Sequence, residues 1–340
     1  MTDLSQQVDR QRLADAKRWV VKVGSALLTN DGKGLDTSIV QMLADQLASL
    51  RATGRDVVLV SSGAIVAGLA RLNLSERPHE IHLSQAAAAV GQSALVRAYE
   101  EYLSPHGVTT AQILLSHADV LARDRYLNAR STLSTLITMG VLPIVNENDT
   151  VVTDEIRVGD NDTLAALVAN LVDADALLIL TDQDGLMDSD PRQTDHATLI
   201  ESADVHDPDL DIVAGTSSAL GRGGMATKLS AARLAARSGT GTGIANGRLP
   251  DVIAQVTAGH PLGTFLHTRR QPQSARKQWL ASLLHAKGTL VLDEGAVRGV
   301  SEQGRSLLPI GLVGVSGECQ RGDLVSCVDS AARERGRGFG

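Results

Sequence analysis

Short apolar runs alternate with segments of helical periodicity through the first 265 residues. An apolar run bounded by glycine or polar residues predicts a buried strand, and apolar residues three or four positions apart predict a helix that packs on it. The predicted strands are 19–23, 57–60, 110–115, 141–145 and 176–180, and the predicted helices are 36–53, one from 64, 84–103, 123–136, 163–172 and 225–237. This alternation predicts an α/β fold with an open, mostly parallel sheet sandwiched by helices.

The remainder of the chain has a different pattern. Residues 266–278 are polar and basic and are interpreted as a linker. Beyond them, short apolar runs at 289–292 and 324–328, with glycines at intervals, predict a small β-rich module over residues 279–340. The ending, ARERGRGFG, has low complexity, and we expect it to be disordered. The sequence therefore predicts a large domain over residues 1–265, a linker and a small module.

Composition narrows the class of protein. Of the 340 residues, 43% are hydrophobic and 21% are charged, as is typical of a globular protein with a sizeable core. Aromatic residues make up only 2%, so we expect an aliphatic core and few surfaces on which bases could stack. Together with the formal net charge of −7, this argues against nucleic-acid binding as the main function.

The same composition bears on localisation. The two cysteines, Cys319 and Cys327, are too few for a disulfide framework and lack the spacing of a zinc site, which favours a reducing cytoplasm. The first residues are polar and lack the apolar centre of a signal peptide. No apolar run is long enough to cross a bilayer, so we expect a cytoplasmic protein without membrane association.

Residues 146–162, NENDTVVTDEIRVGDND, are the most distinctive polar stretch of the chain. They lie between a predicted strand and a predicted helix, which is the position of many ligand sites in α/β folds. Carboxylates and amides together suit a zwitterionic ligand such as an amino acid, and the candidates are Asn146, Asn148, Asp149, Asn161 and Asp162. The alternative interpretation is a solvated acidic loop.

Two other strand ends carry candidate chemistry. Lys22 lies in a predicted buried strand, where a lysine is costly unless it meets an anion, and Gly24 would let a phosphate approach the backbone. The alternative is a lysine that extends to solvent at the end of the sheet. Ser62 lies in a strand–SSG–helix junction, where it could bind a ligand or cap the helix.

A glycine-rich segment, 215–224, leads directly into a predicted helix with Lys228 in its first turn. Glycines before a helix N-terminus can cradle phosphates, and a lysine there adds a positive charge. Gly221, Gly223 and Ala226 also match GxGxxG/A, but no predicted strand precedes them, and no Walker A motif is present. Asp182, in the sequence TDQDG, follows another predicted strand and could border a nucleotide.

These motifs resemble the amino-acid kinase family, and within it the enzymes that phosphorylate L-glutamate. They lie in the family's order across residues 19–237 and read VVKVGSALLT, VLVSSGAI, AAVGQS, YLNARSTL, PIVNENDTVVTDEIRVGDND, LLILTDQDG and LGRGGMATK. The later segments KGTLVLDEGA and SLLPIG resemble part of a PUA module. The glycines of TGTGIANGR depart from the family's more continuous apolar run and would weaken a strand there.

The resemblance implies that ATP phosphorylates the γ-carboxylate of L-glutamate in the first step of proline synthesis, with Mg²⁺ bridging the ATP phosphates. Lys22 and Lys228 would act on the transferred phosphoryl group, with Asp162 holding both ammonium groups. The residues implied in glutamate binding are Ser62, Asn146, Asp149 and Asn161. Those implied in ATP binding are Lys22, Thr181, Asp182, Arg222, Gly223, Gly224, Met225, Ala226, Thr227 and Lys228. Proline as a feedback inhibitor and a homodimer or homotetramer are also implied.

Three other hypotheses remain open at this point. The chain could be a different carboxylate or carbamate kinase of the same fold, although the stretch 146–162 fits a glutamate kinase better. It could be an RNA-binding protein that acts through the PUA-like module, against its net acidity. It could be a nicotinamide-dependent oxidoreductase through GRGGMA, for which the strand–helix–strand context is missing.

Overall fold

The structure, a computed structural model, describes residues 10–29, 34–74, 76, 78–116, 119–120, 122–151, 161–189, 196–215, 224–268, 288–301, 307–317, 319 and 324–339. The chain forms two compact units, Met1–Pro272 and Gln273–Gly340. The division falls within the range predicted as a linker, although the last strand of the first unit extends to His267, beyond the predicted domain end at residue 265.

The first unit is built on an eight-stranded sheet with the order β3–β4–β2–β1–β5–β7–β8–β6. Its strands are β1 Arg18–Val23, β2 Asp56–Ser61, β3 Thr110–Leu115, β4 Leu142–Glu147, β5 Ala176–Thr181, β6 Ser202–Asp204, β7 Gly241–Asn246 and β8 Thr264–His267. All neighbours pair in parallel except β7 and β8. The predicted mostly parallel α/β sheet is therefore confirmed.

Helices connect the strands, as the periodicity predicts. They are α1 (residues 10–15), α2 Ser25–Leu28, α3 Thr37–Ala52, α4 Ala64–Arg71, α5 Ile81–Leu103, α6 Arg123–Thr138, α7 Asn161–Leu171, α8 Asp209–Gly215, α9 Met225–Ala236 and α10 Val252–Thr257. The carboxylate of Asp36 accepts hydrogen bonds from the backbone of Ser38 and Ile39, so the predicted cap of α3 is present.

The core is aliphatic, as the composition predicts. Strand β5 is buried at every position, and β1 and β2 are buried at every position after their first residue. Strands covered by helices on both faces need continuous apolar runs rather than alternation, which is why these segments can be recognised in the sequence. Trp19 is fully buried in this core, and its indole nitrogen donates to the Ala16 carbonyl.

Helices α4 and α5 pack with their backbones almost in contact. A Cβ added at Gly68 would lie 1.7 Å from the Ala87 carbonyl oxygen, and one added at Gly91 would lie 1.8 Å from the Ala64 carbonyl oxygen. Only glycine fits at either position, because the atoms that a side chain would meet belong to backbone. This contact fixes α5 against the helix that follows β2.

The glycines of β7 also allow close packing. A Cβ at Gly241 would meet the ring of Phe265 at 2.8 Å, and one at Gly247, the residue after the strand, would meet Leu27 at 2.4 Å. The strand forms and pairs with both β5 and β8 despite its glycines. The bulky side chains of Phe265 and Leu27 occupy the space that larger residues would need, and reduced local stability of the strand stays a prediction.

The second unit contains a four-stranded sheet with the order β10–β9–β11–β12. Its elements are β9 Gly288–Leu292, α11 Glu294–Ser301, a 3₁₀ turn Pro309–Gly311, β10 Leu312–Gly317, β11 Leu324–Val328 and β12 Glu334–Phe339. The expected disorder of the ending was wrong, because β12 pairs antiparallel with β11. In the described part of the chain, no helix is long and apolar enough to span a membrane.

Candidate active site

The candidate residues gather at the edge of the sheet where β1, β2, β4 and β5 end. Parallel strands bring their carboxyl ends to one edge, so segments far apart in sequence meet there. Lys22 lies near the end of β1, Ser62 follows β2, Asn146 lies near the end of β4 and Thr181 ends β5. Asn161 and Asp162 are the first two residues of helix α7.

Two lysines and one aspartate form a buried cluster at this edge. The ammonium nitrogen of Lys22 lies 2.5 Å from Oδ1 of Asp162, and that of Lys228 lies 3.2 Å from Oδ2. Lys22 is only 5% exposed, Lys228 4% and Asp162 1%. Lys22 therefore contacts a buried carboxylate and does not extend to solvent, which was the alternative interpretation.

Asp162 supplies negative charge to both buried lysines. Burial acts to raise the pKa of Asp162, but the charges and hydrogen bonds of Lys22 and Lys228 outweigh it and hold the pKa below its usual value. Asp162 is therefore a carboxylate at neutral pH. Buried ammonium groups are stabilised by nearby negative charge, so a phosphate beside Lys22 and Lys228 would be bound favourably.

Helix α9 presents its N-terminus to the same cluster. Its first residues are Met225 and Ala226, both partly exposed, and Gly224 is its extended N-cap. The hydroxyl of Thr227 lies 2.8 Å from the Gly224 carbonyl and 3.1 Å from Oδ2 of Asp162, so its proton can be donated to either oxygen. Backbone N–H groups at a helix N-terminus favour anions. The predicted ATP-binding residues Arg222 and Gly223 lie outside the described residues.

Beside the lysines lies a buried network of amides. The side-chain nitrogen of Asn161 donates to Oγ of Ser62 and to Oδ1 of Asn146, both at 2.8 Å. Asn146 in turn donates to Oε1 of Gln92, also at 2.8 Å. Ser62 does not cap helix α4, since its N-cap is Gly63, with a left-handed φ of 105°. The structure therefore brings three of the four predicted glutamate-binding residues into one network.

The fourth predicted residue, Asp149, lines a cavity of about 240 Å³ at the end of β4. Gln92 lines the same cavity, which connects it to the amide network. The other lining residues are Ala88, Ala89, Ser93, Gln112, Leu114, Glu147, Asn148 and Thr150. The cavity therefore offers both carboxylates and amides, a combination that suits a ligand with both charges.

Thr181 and Asp182 lie at the same sheet edge, at the end of β5. The hydroxyl of Thr181 donates to Asp182 at 3.1 Å, and Asn246, at the end of β7, donates to Asp184 at 2.9 Å. Asp182 is exposed, so its carboxylate is accessible. Among the described residues, no group of three or more His, Cys, Asp or Glu side chains could hold a metal ion.

Comparison with protein families decides the classification. The model of the amino acid kinase family matches residues 17–246, which contain every candidate residue. The chain belongs to the amino acid kinase family. A second model, that of the PUA domain, matches residues 288–339. The family resemblance of the motifs is therefore confirmed, and both units of the chain have a match.

The chain is similar to curated proteins along nearly its whole length. It is 57% identical to glutamate 5-kinase from Pseudomonas paraeruginosa over 331 residues, 97% of this chain and 89% of that protein. It is 56% identical to glutamate 5-kinase from Chromohalobacter salexigens over 335 residues, 98% of this chain and 89% of that protein. A UMP kinase structure from Bacillus anthracis matches with a TM-score of 0.52 at 15% identity, covering 75% of this chain and 97% of that one, which shows the fold alone.

Sequence reasoning did not single out Gln92 or Tyr99. Tyr99 is fully buried on helix α5, and its hydroxyl lies 3.1 Å from that of Ser61, next to Ser62. The two residues lie seven positions apart on this helix. That spacing places Gln92 and Tyr99 on one face of the helix. Two polar side chains on a face that packs against the core are the feature of the sequence that could have indicated a role for them.

Proposed function

We propose that this protein transfers the γ-phosphoryl group of ATP to the γ-carboxylate of L-glutamate, the first step of proline biosynthesis. The observation that carries the proposal is the buried cluster of Lys22, Asp162 and Lys228 beside the amide network of Asn161. The cluster suits phosphate, the network suits an amino acid, and the curated relatives are glutamate 5-kinases.

Glutamate binds, in this proposal, next to Ser62, Asn146, Asp149 and Asn161. Oγ of Ser62 accepts a hydrogen bond from the Asn161 amide. The Ser62 hydroxyl can therefore donate its own hydrogen bond to a carboxylate of the substrate. Asp149, as a carboxylate, complements the substrate's ammonium group. These contacts orient the substrate with its γ-carboxylate towards the lysines, because that group must meet the phosphate.

The chemistry requires charge neutralisation and positioning. An oxygen of the γ-carboxylate attacks the γ-phosphorus of ATP, a P–O bond forms, and the P–O bond to ADP breaks, leaving γ-glutamyl phosphate. The γ-carboxylate is already deprotonated at neutral pH, so no general base is needed. Lys22 and Lys228 stabilise the negative charge on the phosphoryl oxygens, and Asp162 fixes both ammonium groups before the substrates bind.

ATP binds along the same edge, with Thr181, Asp182 and the segment 222–228 around the nucleotide. The family relationship implies Mg²⁺, whose preferred ligands are oxygens. Asp162 already binds two ammonium groups, so the ATP phosphates themselves would supply most of the ligands for the ion. Bound Mg²⁺ would neutralise phosphate charge together with the lysines.

The remaining proposals rest on the family relationship and the composition. Proline would inhibit by occupying the glutamate region, and the chain would assemble as a homodimer or homotetramer. A cytoplasmic location is consistent with Cys319 and Cys327, which are both free thiols. Size-exclusion chromatography with light scattering, and turnover measured against added proline, test the first two proposals.

The identity of the phosphoryl acceptor is tested by measuring ADP release from Mg-ATP in the presence of L-glutamate, L-aspartate or N-acetyl-L-glutamate. We expect turnover with L-glutamate, and little with the other two, because one shortens the side chain and the other removes the ammonium group. Turnover with either control but not with glutamate would retain a carboxylate kinase of this fold and exclude glutamate as its substrate.

A further inference from the structure

Gln92 lies at the boundary between the amide network and the cavity. It lies on helix α5 and is only 7% exposed. Its neighbour Gly91 packs against the backbone of α4, the helix that follows Ser62 and Gly63. On the same face of α5, Tyr99 contacts Ser61. Helix α5 thus contacts the site through two side chains, Gln92 and Tyr99.

The hydrogen bonds fix which end of the Gln92 amide faces the cavity. The Asn161 nitrogen lies 3.4 Å from the backbone carbonyl of Ser61, which can only accept, so the opposite orientation of this amide would set two acceptors against each other. Oδ1 of Asn146 must therefore face Asn161, and Nδ2 of Asn146 must face Gln92. The acceptor of Gln92 is thereby used within the network, and its donor is directed outwards.

That donor lacks a partner in the described part of the chain. Nε2 of Gln92 is buried and has no hydrogen-bond partner among the residues that the structure describes. A buried N–H group without a partner is costly, and Gln92 lines the cavity that Asp149 also lines. A ligand that places an acceptor in this cavity would satisfy the group, and carboxylate oxygens are strong acceptors.

We propose that Gln92 is a further substrate-binding residue, whose Nε2 donates a hydrogen bond to a carboxylate oxygen of the bound amino acid. This rests on the proposed function, since it deepens the assignment of the same site. Gln92 and Asp149 then bind two different groups of the ligand: Gln92 donates to the carboxylate, and Asp149 accepts from the ammonium group. The Ser61 carbonyl fixes the orientation of the Asn161 amide, which fixes that of Asn146, which in turn directs the Gln92 donor towards the cavity.

The test compares Gln92→Glu and Gln92→Met with Gln41→Glu as a matched control. Gln92→Glu keeps an acceptor for Asn146 but replaces the donor with a second carboxylate oxygen, whereas Gln92→Met removes both groups. Gln41 is exposed on α3 and undergoes the same amide-to-acid change. For each protein we would measure kcat, KM for glutamate, KM for ATP, glutamate binding by calorimetry and thermal unfolding.

We expect Gln92→Glu to raise KM and Kd for glutamate about 10- to 100-fold, while kcat and KM for ATP stay within about twofold. The control should match the wild type. Glutamate affinity within about twofold of wild type in a folded Gln92→Glu protein overturns the proposal, as does an equal loss in ATP and glutamate affinity. If Gln92→Met unfolds, Gln92→Glu decides alone.

The proposed function and the role of Gln92 can fail separately. Wild-type protein that binds glutamate but does not phosphorylate it overturns the kinase function, while calorimetry on the variants still decides the role of Gln92. Wild-type turnover with unaltered glutamate affinity in Gln92→Glu overturns only the role of Gln92. Wild-type protein that binds no glutamate overturns both.

Discussion

Asp162 organises the site at the scale of single residues. Its two oxygens bind two different lysines from two different elements, β1 and α9, with almost no exposure to solvent. A carboxylate buried between two ammonium groups keeps them at a fixed separation, which limits how much the site must reorganise when charge develops on the phosphoryl group. The residue patterns singled out all three residues, and the family resemblance implied that Asp162 holds both lysines; the distances between them come from the fold.

Replacing Lys228 with alanine should lower kcat by about 10²- to 10³-fold, because it removes a positive charge from the developing negative charge of the transition state. KM for glutamate should change by less than about threefold, since the amide network is separate from Lys228. Steady-state kinetics measure both values. The exposed Lys17 provides the control, because Lys17→Ala removes a lysine from the surface. An unchanged kcat in Lys228→Ala would contradict the proposed role.

Asp162→Asn should lower the free energy of unfolding by about 3–5 kcal/mol at neutral pH, because two buried ammonium groups lose their counter-charge. The folded-state pKa of Asp162 lies below its unfolded value, so the carboxylate's stabilisation is present above the unfolded pKa and is lost as pH falls through the folded pKa. The difference from wild type should therefore shrink below about pH 4.

Urea denaturation across pH measures this difference, with Asp15→Asn as an exposed control. A control that loses as much stability as Asp162→Asn would attribute the effect to net charge. A difference that is constant down to the most acidic pH at which the protein folds would contradict the account of the Asp162 pKa.

Helix α5 is the element that connects packing to the site. Its existence was predictable, since residues 84–103 have a helical pattern, and the structure extends it by one turn to Ile81. Its function as a support was not, because the partners of Gln92 and Tyr99 come from β2 and β4. Hydrogen bonds between elements depend on how those elements pack, which a local pattern does not record.

Gly91→Ala should destabilise the protein by about 1–3 kcal/mol, because the added Cβ meets the Ala64 backbone and the two helices must separate. The shift should also disturb Gln92 and raise KM for glutamate. Chemical denaturation and kinetics measure the two effects. Ser93→Ala, at an exposed position two residues further along α5, should change stability by less than about 0.5 kcal/mol. Equal stability of both variants would contradict the close helix contact.

At the scale of the whole molecule, sequence predicted the large parallel sheet better than the ending. The buried strands are recognisable because both faces of the sheet are covered, so their apolar runs are continuous. Strand β12, in contrast, contains glycines and charged residues, and it exists through pairing with β11. Pairing partners of this kind leave no signal in the composition of the segment itself.

A chain that ends at Pro272 should retain kcat and KM for glutamate within about threefold, because every proposed site residue lies in the first unit. Kinetics of this shortened protein beside the full chain measure the effect. Filter binding with structured RNA across salt concentrations, on the full chain, tests the RNA-binding hypothesis for the second unit. Loss of turnover in a shortened chain that remains folded would contradict the independence of the site.

The central claim is that a carboxylate oxygen of glutamate attacks the γ-phosphorus of ATP. Glutamate labelled with oxygen-18 in its γ-carboxylate, incubated with Mg-ATP, enzyme and hydroxylamine, tests it directly by mass spectrometry of the products. Hydroxylamine attacks the carbonyl carbon of the acyl phosphate, so we predict γ-glutamyl hydroxamate together with inorganic phosphate that carries one labelled oxygen. Unlabelled phosphate without hydroxamate would mean that water attacks ATP, and it would contradict the proposed function.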